Sequence, residues 1–298
     1  MSDKETYVES RGGKLGRWGV NISGTLVMIY LFIPISIILI FSFNDPSSKF
    51  NLVWKGFTTK HWVKTIMGGE PNKFYYPELN NSLYRSIYIA LGSSLIAVIL
   101  GSLIAFALAR RKIKGSGAIA GFLVLPLTTP EIVLGASLLT LFLDFTYKIG
   151  GHTLKIPFGM PTIFIAHIMF CMSYITLTVK ARLRGFDWAI EDAAKDLGAN
   201  GRQTFFKVIF PLALPGIFAA FLLSFALSFD DFIITLFVSG DVKTFPIQVF
   251  GQSRTAIPPQ INVLSSILLI ITTTIFIIPT VLSIRKQKKI AKIRANTP

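Results

Sequence analysis

The feature that most restricts this chain is a set of six apolar runs, each long enough to cross a bilayer. Five contain no Asp, Glu, Lys or Arg: residues 18–44, 86–109, 156–179, 208–229 and 255–284. The sixth, residues 115–143, is interrupted only by Glu131. A helix needs about 20 residues to cross the hydrocarbon core, and every run supplies them. The runs are continuously apolar, which excludes the in/out alternation of barrel strands. Composition agrees, with 52% hydrophobic and 15% charged residues against about 25% charged in a soluble domain. The expected fold class is all-α: a polytopic membrane protein with six transmembrane helices in one domain, residues 1–298. The first run exceeds the usual signal-peptide core and no small-residue cleavage site follows it, so it is expected to remain as an anchor.

The net charge of +15 is explained by topology rather than by nucleic acid. The alternate segments before the first run, between the second and third, between the fourth and fifth, and after the last hold 4, 4, 6 and 6 Lys and Arg. The other three loops hold 5, 2 and 2. Lys- and Arg-rich short loops stay cytoplasmic, so both termini are expected inside. The tail RKQKKIAKIR (285–294) also suits contact with anionic lipid of the bilayer. No HExxH or GxSxG motif and only three histidines are present, so no catalytic residues are assigned. Cys171 cannot form an internal disulfide. His167, four residues earlier, shares its helical face, but two ligands do not make a metal site, and the pair reads as ordinary packing.

The long loop 45–81 contains NLVWKGFTTKHWVKTI (51–66), where Trp54, Phe57, Trp62 and Ile66 recur every three to five residues. That spacing predicts that part of the loop is an interfacial amphipathic helix on the outer side. Trp54 reads either as a belt anchor or as part of a lid that offers cation–π contact.

The segment between the fourth and fifth runs, KARLRGFDWAIEDAAKDLGANGRQTFFKVIFPLALPG (180–216), predicts two short helices that meet at Gly198 and the Asn200-Gly201 turn. Ala193 and Ala194 form a ledge of small residues. By itself this is either an amphipathic linker or a docking surface. The pattern DAAKDLG, nine residues, then VIFP resembles the EAA loop of membrane subunits of ABC importers. Asp192, Ala193, Ala194, Gly198 and Pro211 match in spacing, with Asp192 in place of Glu. GFTTKHW, RLRGFD, AAKDLGA and LSFDDFIITLFVSG further resemble the second membrane subunit of spermidine/putrescine importers. The resemblance implies the type I ABC importer permease fold and a location in a prokaryotic inner or plasma membrane. It also implies that loop 182–210 couples to two cytoplasmic ATPase subunits, beside a second homologous permease subunit and an extracytoplasmic polyamine-binding protein. The chain has no GxxxxGK[ST] phosphate cradle, so ATP and Mg are expected on the ATPase subunit and no cofactor or metal on this chain.

Asp230 and Asp231 stand in LSFALSFDDFIITLFVSG (223–240), where a carboxylate costs roughly 2.5–3.5 kcal/mol on insertion scales. Ser224, Ser228, Asp231 and Thr235 are spaced 4, 3 and 4, which predicts one polar helical face along a water-accessible path. Asp230 is turned about 100° away, toward a neighbouring helix or the edge of the same cavity. In LPLTTPEIVLGASL (125–138), Pro126 and Pro130 interrupt the third run, with Thr129 as cap and Glu131 in the first turn of a new half-helix. The helix dipole explains Glu131 locally, which leaves a substrate role open. No Lys or Arg lies inside a run after Arg85, so the three acids are expected to form an uncompensated negative site that a polyamine or a partner subunit's cation would balance. The resemblance implies a path that includes Trp54, Glu131, Ser228, Asp230 and Asp231, and the polar helical face adds Thr235. Other small cations or metabolites, and an ion-coupled secondary transporter without an ATPase, are the alternatives.

Overall fold

The computed structural model describes residues 11–110, 114–144, 146–149 and 152–295. Four helical segments are long and apolar enough to cross a membrane: Trp18–Phe41 in α1 (Arg11–Phe41), Pro77–Ala109 in α3 (Pro77–Arg110), α6 (Met160–Arg184) and Gly201–Asp230. The third expected crossing is a bent pair, α4 (Ser116–Thr128) and α5 (Glu131–Asp144), with 107° between its arms. Counted as one crossing, the pair makes five among the described residues, where the sequence predicts six. The remaining run lies in α12 (Pro259–Ala295), a helix of 37 residues that carries the apolar stretch Pro259–Ile275. A two-stranded antiparallel hairpin, β1 (Thr146–Ile149) with β2 (His152–Lys155), is the one sheet among the described residues.

The bend has a local cause. Pro130 forces its predecessor out of the helical region, and Thr129 is extended at φ −79°, ψ 131°. Pro126, expected to interrupt as well, is accommodated inside α4. Thr129 does not cap the new helix. Its hydroxyl donates backward to the Leu125 carbonyl at 2.7 Å, and the Pro130 carbonyl accepts the first α5 bond, from Leu134 N–H at 3.0 Å.

The chain divides into two compact units. The first runs to Asn80 and resumes at Gln252. In it α1 packs on α12, and α12 also meets α2 (Lys60–Met67). The amphipathic helix is shorter than the spacing suggests, because Trp54 and Phe57 lie outside α2. The fully buried Asn44 side chain holds that stretch extended. Its amide donates to the Val53 carbonyl at 2.8 Å and to Asn51 Oδ1 at 2.7 Å, and its oxygen accepts from Lys55 N–H at 2.7 Å. These backbone groups are therefore satisfied without helical bonds. The short helix turns His61 and Thr65 inward and leaves Val63, Ile66 and Met67 exposed. Lys60 lies 2.5 Å from Asp45 and holds its carboxyl below the usual carboxylate range, while burial pushes the His61 imidazole below its usual value.

The second unit spans Asn81–Gly251. Its centre is α6, packed against α9 (Phe210–Asp230), α4 and α10 (Ile233–Val238), with α5 also on α10. Ile163, Ala166, Cys171 and Ile175 on α6 are fully buried. In lipid, apolar helices gain little from mutual burial and associate through close packing of small residues. Helix α3 meets this with glycine notches. A Cβ at Gly92 would lie 2.6 Å from the Phe164 ring, and one at Gly101 would lie 2.8 Å from Ile175 and 3.1 Å from the Met172 carbonyl. Leu95, Ile99 and Leu103, on the other side of α3, are exposed, as lipid-facing residues should be.

Gly101→Leu is therefore expected to destabilise the protein by about 1–3 kcal/mol, the usual range for overpacking. Gly121→Leu, where a Cβ meets nothing within 4 Å, is expected to leave it unchanged. Thermal unfolding of both variants in detergent checks this difference.

Candidate functional site

The fifth long helix is one rod from Gly201 to Asp230. It begins as α8 (Gly201–Thr204), widens into a π turn at Phe205–Ile209 and continues as α9. Pro211 explains the widening, since its ring crowds the carbonyl four residues back and a π turn relieves this. The rod ends at Asp230. Asp231 is extended, at φ −62°, ψ 122°, and α10 starts two residues later. The single continuous face expected through Ser224, Ser228, Asp231 and Thr235 is thus broken at Asp231.

The four residues nevertheless meet inside the protein. Ser224, Ser228, Asp231 and Thr235 are all buried. The Asp231 carboxylate accepts from Thr235 N–H at 2.8 Å and from the Thr235 hydroxyl at 2.6 Å. It therefore caps the first turn of α10, which leaves amides unpaired as every helix start does. The group expected to line a water-accessible path is closed off, with its side chain 4% exposed.

The acids are also not all uncompensated. His167 of α6, 3% exposed, places Nε2 at 3.4 Å from Asp231 Oδ2 and 2.9 Å from Thr235 Oγ1. Its Nδ1 lies 2.7 Å from Ser228 Oγ, which lies 2.9 Å from Ser93 Oγ of α3. Beside it, Ser224 donates to Ser94 at 3.1 Å, and Cys171 Sγ lies 3.6 Å from the Ser224 carbonyl. His167 is the residue that the sequence reading assigned to plain packing. Its spacing from Cys171 points along its own helix, and no local pattern relates it to residues 61 to 68 positions away.

Asp230, adjacent in sequence, is exposed. Glu131 opens α5 and is exposed too. Among the described residues neither makes a hydrogen bond or ion pair with the buried cluster. Trp54 belongs to the first unit, packs edge-on against Phe41 at 6.2 Å between ring centroids, and is 44% exposed.

The segment after α6 forms α7 (Ala189–Asp196) and then turns sharply. Ala199 N–H reaches the Ala194 carbonyl at 3.0 Å and Gly198 N–H the Lys195 carbonyl at 2.8 Å. With Gly198 at φ +85°, this is a Schellman C-cap. Asn200 then caps the rod through a reciprocal pair with Gln203, both bonds 2.9 Å. The second of the two expected short helices is therefore the start of the long rod. Asp192, Ala193, Gly198 and Pro211 are exposed and Ala194 is partly buried. Leu197 at the turn is 90% exposed and Phe206 is 65% exposed.

Helical spans built around a bent pair, a central α6–α9 packing and an exposed turn between them define the class as a type I ABC importer permease. The fold resembles that of the chain of a bacterial ABC transporter involved in the import of the acidic polysaccharide alginate, with TM-score 0.55, 15% identity, and 92% of this chain and 98% of that chain covered. It also resembles an amino acid ABC transporter crystallised with histidines, with TM-score 0.51, 19% identity, and 71% and 94% covered. Residues 97–288 match the binding-protein-dependent transport system inner membrane component family, and the chain belongs to that family. It is 35% identical over 277 residues to the spermidine/putrescine transport system permease protein PotC of Escherichia coli K12, covering 93% of this chain and 97% of that one. It is 36% identical over 242 residues to the putrescine transport system permease protein PotI of the same organism, covering 80% and 82%. The protein is therefore a multi-pass inner-membrane permease subunit of an ABC importer.

Thr235→Val keeps the side-chain shape and removes the hydroxyl that bridges His167 and Asp231. A lost buried partner costs about 1–3 kcal/mol, so a lower melting temperature is expected in detergent.

Proposed function

We propose that this subunit passes polyamines, spermidine or putrescine, into the cytoplasm. The observation that carries the reading is the similarity to two permeases named for these substrates over 80% or more of this chain. A buried carboxylate with no Lys or Arg within 4 Å among the described residues suits a cargo that brings its own ammonium groups. Asp231, Ser228 and Thr235 are the inner part of the path, and Asp230, Glu131 and Trp54 its exposed parts. ATP and Mg are held by two separate cytoplasmic ATPase subunits, a homologous permease completes the channel, and an extracytoplasmic polyamine-binding protein delivers cargo. Both termini lie in the cytoplasm, the side carrying twenty of the thirty Lys and Arg. Loop 182–210 is the ATPase contact, with Asp192, Ala193, Ala194, Gly198 and Pro211 shaping it and exposed Leu197 at its tip.

Uptake of labelled putrescine into proteoliposomes that hold the full complex tests the reading. It is expected to require ATP and to be blocked by excess spermidine but not by a neutral diol of equal length. Equal block by the diol, or uptake without ATP, would overturn it. Gly198→Leu meets open space but strains a left-handed backbone, and Leu197→Asp puts a charge at the tip. Each is expected to reduce co-purification of the ATPase at least tenfold while the permease still reaches the membrane. Undiminished co-purification would remove the loop from the coupling role.

A further inference from the structure

We propose that Asp231 holds one positive charge at a time, supplied either by the imidazolium of His167 or by an ammonium group of the cargo. His167 is then a positioning residue that fills the carboxylate's cation site whenever cargo is absent. The inference rests on the polyamine reading above and deepens it.

The hydrogen-bond directions carry the argument. A carboxylate only accepts, so the single Thr235 hydroxyl proton points to Asp231 Oδ2 at 2.6 Å. The Thr235 oxygen must then accept from His167, which fixes a proton on Nε2 at 2.9 Å. The opposite edge of the ring is not fixed in this way. Ser93 Oγ lies 2.7 Å from the Ile89 carbonyl and 2.9 Å from Ser228 Oγ, which in turn lies 2.7 Å from His167 Nδ1. If Ser93 donates to Ile89, Ser228 donates to Ser93, and the Ser228 oxygen accepts from a protonated Nδ1. The ring is then an imidazolium. If Ser93 donates to Ser228, Ser228 donates to a bare Nδ1, and the ring is neutral. The Ile89 carbonyl loses only an extra donor, since a helix carbonyl has a backbone partner. Every hydroxyl proton has an acceptor in both arrangements. The cluster can thus gain or lose one proton by turning two hydroxyls, with no heavy atom moved.

The surroundings favour a filled site. The Asp231 and His167 side chains are 4% and 3% exposed, and an unpaired buried charge is costly. No other titratable or charged group competes closely. On α6 itself Cys171 lies one turn on and Tyr174 nearly two. Helix α3 offers the site serines, while its Tyr88 packs edge-on against Phe164. Helices α4 and α10 contain no titratable residue, the rod's last residue Asp230 is exposed, and Glu131 of α5 is exposed. When the site opens, a cargo ammonium pairs with Asp231, and His167 releases its Nδ1 proton to the admitted water. One cation leaves as the other arrives. Imidazolium and ammonium together would set two like charges on one carboxylate.

The test is equilibrium binding of radiolabelled putrescine to the purified complex of permeases and ATPase, between about pH 5.5 and 8. Free aliphatic amines titrate near 10 and a free imidazole near 6.5, so the cargo keeps its charge across this range while an imidazole can change its own. Wild-type affinity is expected to fall as pH drops through the histidine range, approaching about tenfold per pH unit. His167→Gln retains one donor and one acceptor but cannot be protonated, and its affinity is expected to be independent of pH. A wild-type affinity that is flat across the range overturns the proposal, even if His167→Gln fails to assemble. So does an assembled His167→Gln complex that keeps the wild-type pH dependence. Asp231→Asn, whose amide oxygen can still cap α10, separates the two readings. If it binds and transports putrescine like wild type at every pH, the assignment of Asp231 to the path falls. If it loses binding while His167→Gln keeps the wild-type pH dependence, only the exchange falls.

Discussion

The second unit depends on how one buried carboxylate is satisfied. Asp231 stands where the long helix stops and the chain changes direction, so backbone groups are left without helical partners. Its Oδ2 takes up the Thr235 amide and hydroxyl at 2.8 and 2.6 Å and faces His167 at 3.4 Å. Helix α10 is thereby fixed at its start, and Thr162 of α6 fixes its end by donating to the Val238 carbonyl at 2.6 Å. Packed against α5 and α6, α10 is thus held at both ends. An acid in a bilayer-length segment is tolerated because it does not face lipid. It is enclosed by protein groups that need an acceptor there.

The break also gives the two neighbouring acids different surroundings. On a continuous helix they would differ by about 100° and share one depth. With the backbone extended at Asp231, one carboxylate is enclosed in a network of hydroxyls and an imidazole while the other, Asp230, is exposed. Two chemically identical side chains become a buried, exchangeable site and an exposed surface charge.

What the sequence reveals here depends on the range of the interaction. The long apolar runs, the interruption at Pro130 and the glycine turn at Gly198 each follow from residues within a few positions, and each was legible. The set Ser224, Ser228, Asp231 and Thr235 was also found, although the helix that relates them is broken. Helical spacing selects residues on one side whether or not the last of them lies across a kink. His167 was not legible, because a lone histidine in an apolar run looks the same as packing or as a partner. Where the loop's helix begins was not legible for a similar reason. Trp54 and Phe57 keep a helix-like spacing, but Asn44 collects the backbone groups between them from 9 to 11 residues away, and local periodicity does not register such a contact. The small β-hairpin belongs with these, since neither length nor composition marked it.

One element joins the exposed turn to the buried carboxylate. From its Asn200 cap to Asp230 the rod is continuous, and 30 residues at 1.5 Å each span about 45 Å. Its wide turn is not loose. Phe205 packs edge-on against Phe106 of α3 and Phe206 next to it, with centroids 5.2 and 5.1 Å apart. A displacement of α7, tied to the rod by a four-residue turn, is therefore passed to a helix that runs unbroken to Asp230. The rod ends next to the residue whose carboxylate pairs with His167, where the backbone turns extended. Motion applied at the cytoplasmic end proposed for this rod thus acts on the distance between Asp231 and His167, the contact that decides which cation the carboxylate holds.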